Sequence, residues 1–232
     1  MIAAEFVRRG VRTYITARKA EACLTTAEEL SQEGECIALP CDLSTMEGVT
    51  AFANAIAEHE DKLDILVNNA GAAWGAPFDE FPESGWDKVM DLNVKSLFFL
   101  TQKLAPLLRA SARLEQPAKV INIASIDGIY NAYTETYSYS ASKAAVIHLT
   151  RRLAKQLVKE QIHVNAIAPG AFASDMNTRT RDNPDEVAKF VPAKRIGNPD
   201  DMAGVAVYMS SRAGDYLVGI TIAVDGGIAY AS

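Results

Sequence analysis

A doubly wound α/β fold, a parallel sheet covered by helices on both faces, is predicted by two features of this 232-residue chain. Short, nearly continuous apolar runs rich in Val and Ile alternate with longer amphipathic stretches, the pattern of strands buried between layers of helix. The composition agrees: 49% hydrophobic and 22% charged residues suit one full-sized core, and the length does not call for a second.

The elements follow in order. Residues 1–10 carry apolar side chains at 2, 3, 6 and 7 and stop at Gly10, as the closing turns of a helix do. Strands are predicted over 11–16, 36–41, 63–68, 119–124, 163–168 and 221–224, each short and almost continuously apolar. Helices are predicted over 20–33, 46–60, 84–112, 138–160 and 199–211. Residues 171–198 have no clean period and hold Pro184 and Pro192, so they read as a late insertion or lid on a single domain spanning residues 1–232.

Several function classes are excluded. A formal net charge of -6 without a run of Lys and Arg lacks the electrostatic footprint of a nucleic-acid binder. No apolar run approaches the length of a membrane span, and Arg8 and Arg9 follow the first apolar residues where a signal peptide would place them before. Cys23, Cys36 and Cys41 lack ligand spacing and fit buried thiols in a reducing, cytoplasmic compartment. His59, His148 and His163 do not cluster with carboxylates or cysteines, so no metal site is expected.

Chemistry enters with Tyr139-Ser140-Ala141-Ser142-Lys143, which sets a phenol and an ammonium at i and i+4 on one helix face. Such a pair is common on helix surfaces, and only its surroundings give it meaning. Those surroundings are Asn68-Asn69-Ala70-Gly71 after a strand, Asn93 within Leu92-Asn93-Val94, Ser125 ending a strand, and Pro169-Gly170 after another. Together they resemble the short-chain dehydrogenase/reductase family, over nearly the whole chain to Asp225-Gly226-Gly227. Trp74-Gly75, Ser84-Gly85-Trp86 and Pro106-Leu107-Leu108-Arg109 look like the β-ketoacyl reductases of the rhamnolipid-pathway type.

The resemblance implies a Rossmann-like fold and an NADP(H)-dependent carbonyl reductase, with a 3-oxoacyl thioester as the expected substrate. It makes Tyr139 the proton donor, Lys143 the group that depresses its pKa and holds the nicotinamide ribose, Ser125 the hydrogen-bond partner of the substrate oxygen, and Asn93 the holder of a proton-relaying water. Bringing a phenol from ~10 toward 7 takes about 4 kcal/mol of preferential phenolate stabilisation. Tyr137, six residues from Lys143, points to another face. Arg18, after Ala17, suits a ribose 2′-phosphate, whereas an acid there suits NAD. Asp42 is expected at the adenine, Asn69 and Gly71 on the cofactor floor with Pro169 and Gly170, and Ser174 at the nicotinamide carboxamide or, alternatively, as a helix cap. Phe172, Met176, Phe190 and Val191 either cover an acyl chain or pack. A dimer or tetramer is expected through the helices at 84–112 and 138–160, with Phe98 and Phe99 as contacts.

The start departs from the family. No G-x-G-x-x-G occurs, and Gly71-Ala72-Ala73-Trp74-Gly75 runs into Pro77 and not into a helix, so it is no phosphate loop. In the family a first strand sits between those beginning here at 11 and 63, and losing it would strip partners from both neighbours at ~1 to 3 kcal/mol per buried group. Either Met1 is an internal methionine of a longer chain, which is favoured because every other site position is kept, or this is a shortened protein. The second case carries a rival function, an inactive binding or oligomerisation subunit.

Overall fold

A computed structural model describes residues 1–131 and 134–231; Ala132, Tyr133 and Ser232, the last residue of the expected domain, lie outside it. The chain runs α1 (Ile2–Arg8), β1 (Thr13–Ile15), α2 (Ala20–Leu30), β2 (Cys36–Ala38), α3 (Met46–His59), β3 (Ile65–Asn68), α4 (Glu83–Met90), α5 (Leu97–Ser111) and β4 (Ala118–Ile123). It continues through α6 (Tyr137–Leu157), β5 (Ile162–Pro169), α7 (Thr178–Asp182), α8 (Pro184–Phe190), α9 (Pro199–Ser210) and β6 (Thr221–Val224). All pairings between these strands are parallel, as the apolar runs predict.

The strands form two sheets: β1 with β2, and the order β3-β4-β5-β6. Among the described residues no ladder joins β1 to β3. Side chains connect what backbone does not. On one face Phe6 of α1 shares a cluster with Val11, Ile65, Val67, Ile121 and Met202. On the other, Phe52 and Ile56 of α3 share one with Tyr14, Leu39 and Leu66. Two buried atoms lack hydrogen-bond partners among the described residues on either side of the break, Thr16 Oγ1 and Asn68 Oδ1, each at a cost of about 1–3 kcal/mol.

Two elements depart from the sequence reading. The stretch predicted as one helix over 84–112 is α4 and α5 joined by a π-helical segment, Asp91–Ser96, whose wider turn the apolar period does not reveal. The segment 171–198, expected to be irregular, contains α7 and α8. Asn177 caps the first by accepting from the Thr180 amide at 3.2 Å, and Pro184 occupies the first turn of the second. Both helices are too short to show a period, so caps and proline were the only signals available.

The carboxyl ends of β3, β4 and β5 come out on one side of the sheet, with Asn68 and Pro169 closing β3 and β5 and Ser125 following β4 into a 3₁₀ turn that lies against α6. Ligands in open α/β sheets bind at this edge.

Candidate active site

Ser125 follows β4 in extended conformation, and its hydroxyl accepts from the Asp127 amide at 3.2 Å, starting the 3₁₀ turn Ile126–Gly128. Gly128 lets that turn lie against α6: a Cβ there would stand 2.6–2.8 Å from the Lys143–Ala144 peptide, closer than any side chain permits. The turn and the Tyr139–Lys143 face are thereby held in contact, and the Ser125 hydroxyl interacts with the Tyr139 phenol.

Lys143 is buried, with its Nζ donating to the Ile123 carbonyl at 2.8 Å and lying 5.5 Å from the centre of the Tyr139 ring. Burial pushes its pKa down to about 8. Burial also raises the Tyr139 pKa; the Ser125 hydroxyl pulls it back and the Asp127 carboxylate adds to the rise. The expected depression of the phenol by Lys143 is therefore corrected. A dry pocket penalises ammonium and phenolate alike, and both groups are driven toward their neutral forms.

Asn93 projects inward from the π segment, where the widened helix frees an orientation an α-helix would not give. Its Oδ1 accepts from the Ala72 amide at 2.8 Å, and its Nδ2 donates to the Ala72 carbonyl at 3.0 Å and to Ser142 Oγ at 2.9 Å. Ser142 in turn donates to the Tyr139 carbonyl at 2.7 Å. The structure thus joins Asn93 to α6 through Ser142, a residue within the quoted motif to which the sequence reading gave no role. Its signal was position, since residue i+3 shares the face of i. Asn93→Ala is expected to lose about 1–3 kcal/mol of stability, because the Ala72 amide and carbonyl lose partners in a partly buried loop, with the loss read from urea unfolding.

Behind these groups lies a buried polar chain: Asn68 Nδ2 donates to Thr101 at 3.0 Å and to Asn122 at 2.8 Å, and Asn122 donates to Thr150 at 2.9 Å. It ties the ends of β3 and β4 to α5 and α6, and the sequence reading did not detect it because each member is an ordinary polar residue in an apolar run.

The remaining expected residues fall as follows. Arg18 and Asp42 sit just past β1 and β2, where hydrogen bonds from Ser44 to Asp42 and then the Arg18 charge hold the carboxyl below its usual range. Asn69 is exposed. Gly71 is backed by Asn93 Oδ1 and Lys143 Nζ, 3.3 and 3.7 Å from where a Cβ would stand. At Gly170 the approach is closer, a Cβ there standing 2.6 Å from Asp225 Cβ, so glycine is required. The Ser174 hydroxyl accepts from the Asn177 amide at 3.1 Å, a local turn bond ahead of α7, whose cap is Asn177 and not Ser174. Phe172 and Val191 are buried as packing, whereas Met176 and Phe190 are exposed. Tyr137 stacks edge-on against Phe78 and Phe81, away from Tyr139. Among the described residues no cluster of His, Cys, Asp and Glu fit for a metal occurs.

A doubly wound sheet that gathers a buried lysine, a phenol and a serine hydroxyl at its strand ends has the architecture of a short-chain dehydrogenase/reductase. A family model described as enoyl-(acyl carrier protein) reductase matches residues 1–229, and the chain belongs to the short-chain dehydrogenase/reductase family. It is 47% identical over 230 residues to the rhamnolipids biosynthesis 3-oxoacyl-[acyl-carrier-protein] reductase of Pseudomonas aeruginosa, covering 98% of this chain and 90% of that one. The 5-keto-D-gluconate 5-reductase of Escherichia coli is 36% identical over 219 residues, 92% of this chain and 83% of the relative. Among solved structures, the RhlG/NADP active-site complex of Pseudomonas aeruginosa superposes with a TM-score of 0.95 at 47% identity, over 98% of this chain and 90% of that one. A gluconate 5-dehydrogenase from Burkholderia cenocepacia in complex with NADP and tartrate gives 0.88 at 30% identity, over 98% and 89%.

Proposed function

We propose that this protein is an NADPH-dependent carbonyl reductase that converts a 3-oxoacyl thioester to the 3-hydroxyacyl thioester, with Tyr139 delivering the proton. The observation that carries this is the joining of Ser125, Tyr139, Lys143 and Asn93 in one dry pocket at the strand ends. The pocket fits a nicotinamide dinucleotide: the glycine at 71 keeps side chains off the space beside Lys143, and Lys143 spends one of its three donors on Ile123. Residues that would hold the cofactor are Lys143 and Tyr139 at the nicotinamide ribose, Asn69, Gly71, Pro169 and Gly170 along the floor, Asp42 at the adenine and Arg18 at a 2′-phosphate. Ser174 accepts from the Asn177 amide and keeps its own O–H to donate to the carboxamide oxygen. When bound, NADPH supplies the hydride.

The protein's own groups do the rest. Ser125 and Tyr139 hydrogen-bond the carbonyl oxygen where negative charge develops. A phenol whose pKa is raised stays protonated at neutral pH and is ready to donate, which favours the reducing direction. Lys143, with a pKa near 8, exchanges a proton at operating pH and can restore the phenol's. Asn93, held by Ala72 and Ser142, fixes the neighbouring backbone from which a water would reach Lys143.

A cytoplasmic setting and a homo-oligomer packed through α4, α5 and α6 are part of the same proposal. Half-buried Phe98 and Phe99, edge to face at 5.2 Å, are proposed contacts. Among the described residues no helix is long and apolar enough to cross a membrane. Fluorescence titration with NADPH and NADH, followed by turnover of an acetoacetyl thioester, tests the reading. Tighter binding of NADPH and its consumption with the thioester are expected; a protein that binds neither nucleotide would overturn the reading in favour of a binding or oligomerisation subunit.

A further inference from the structure

One ionisable group beside the pocket has no part in the chemistry above. Asp127 lies on the 3₁₀ turn after Ser125, and its amide donates to the Ser125 hydroxyl at 3.2 Å. The turn cannot drift, since Gly128 is wedged against the Lys143–Ala144 peptide. Among the described residues the Asp127 carboxylate accepts no hydrogen bond and pairs with no cation, although it is partly buried. The carboxylate is partly withdrawn from water and no cation of the protein neutralises it, so its negative charge is felt at the site. Asp127 stands two residues from Ser125 on a turn fixed against α6, and its negative charge adds to the rise of the Tyr139 pKa, so it bears on the place where a substrate oxygen would sit between Tyr139 and Ser125.

We propose that Asp127 is a charge filter on the substrate side of the pocket, turning away keto-acid anions and leaving neutral ketones, 3-oxoacyl thioesters among them, as the accepted class. The inference rests on the reading of Ser125 and Tyr139 as the carbonyl-binding pair. It bears on a division among the relatives, some named for acyl thioesters and others for gluconates, which are anions. A fixed negative charge in a pocket drier than water repels a carboxylate strongly and a neutral ester hardly at all. Specificity of this kind comes from a repulsive group and not from an added contact.

Acetoacetate and methyl acetoacetate share a skeleton and differ in charge, which makes them the probe pair. The ratio of kcat/KM for the anion to that for the ester is expected to rise about tenfold or more in Asp127→Asn and to stay near the parent's in Asp127→Glu. Any change in the phenol's acidity, or a general loss of structure, affects both compounds and cancels in the ratio. A ratio that stays within about twofold of the parent in Asp127→Asn overturns the proposal. A second measurement needs no turnover: the Tyr139 titration by ultraviolet difference absorbance, each protein referenced to its own Tyr139→Phe form. Asp127→Asn should move it to lower pH, and an unmoved titration overturns the placement of the charge. If the parent reduces neither compound, the carbonyl-reductase reading falls, while the titration still decides whether the carboxylate faces the phenol.

Discussion

Tyr139→Phe is expected to lower kcat for the acetoacetyl thioester by about 10²–10⁴-fold, the usual worth of a positioned proton donor. The substitution removes one oxygen and keeps the ring over which Lys143 Nζ lies at 5.5 Å, so the fold should survive. Thermal unfolding close to the parent's, together with the rate loss, would separate chemistry from structure. Nucleotide binding should change far less than kcat. A variant within about tenfold of the parent would move the proton to another group. Tyr137 is a poor substitute because its ring is occupied by Phe78 and Phe81.

Lys143→Met should abolish turnover and at the same time remove a pH dependence from stability. The lysine has a pKa of about 8 in the folded protein against 10.5 when unperturbed, because burial disfavours the ammonium. Between those values the unfolded chain binds more protons than the folded one, so stability rises with pH across the window. Its contribution is full above about 10.5 and is lost as pH falls to 8, a change of about 3 kcal/mol at 1.36 kcal/mol per unit. Urea unfolding of parent and variant at neutral pH and near pH 10 measures this: the parent should gain relative to Lys143→Met at the higher pH. Parallel behaviour of the two proteins would show that the ammonium is not penalised. Lys143→Met lacks the donor to the Ile123 carbonyl at every pH, so that loss offsets the two proteins by a constant and does not alter how their difference changes with pH.

Much of this molecule is written in local pattern. Strands β3 to β6 were legible because buried parallel strands are continuous apolar runs, and β4 and β5 are buried along nearly their whole length. Tyr139, Lys143, Ser125 and Asn93 were legible as motif residues in their order along the chain, and the structure brings them into one neighbourhood. What escaped was set by distant partners. Asn93 is buried within a π segment, the direction of the Tyr139 shift depends on desolvation, and the place of Asp127 on a turn pinned by Gly128 against another helix. None of these leaves a period in the sequence. Ser174 shows the same limit from the other side, since only the structure reveals that its hydroxyl is already engaged by Asn177. The packing of α1 and α3 across the gap between β1 and β3 could not be read from pattern alone.

The π segment at 91–96 also fixes what kinds of change the rod from Glu83 to Ser111 can tolerate. Upstream, Gly85 and Val89 face the interior; downstream, Leu97, Leu100, Leu104 and Leu108 do. One wide turn sets the phase between these two stripes. Leu97 follows Val89 by one position more than the roughly seven that bring two α-helical residues back to one face, and the wide turn absorbs that extra residue. Deleting a single residue there would restore ordinary helix with both stripes still facing inward, but it would disturb the stretch from which Asn93 reaches Ala72 and Ser142. The rod's packing should therefore tolerate a one-residue shortening that the site does not, a constraint on length that comes from the site and not from the core.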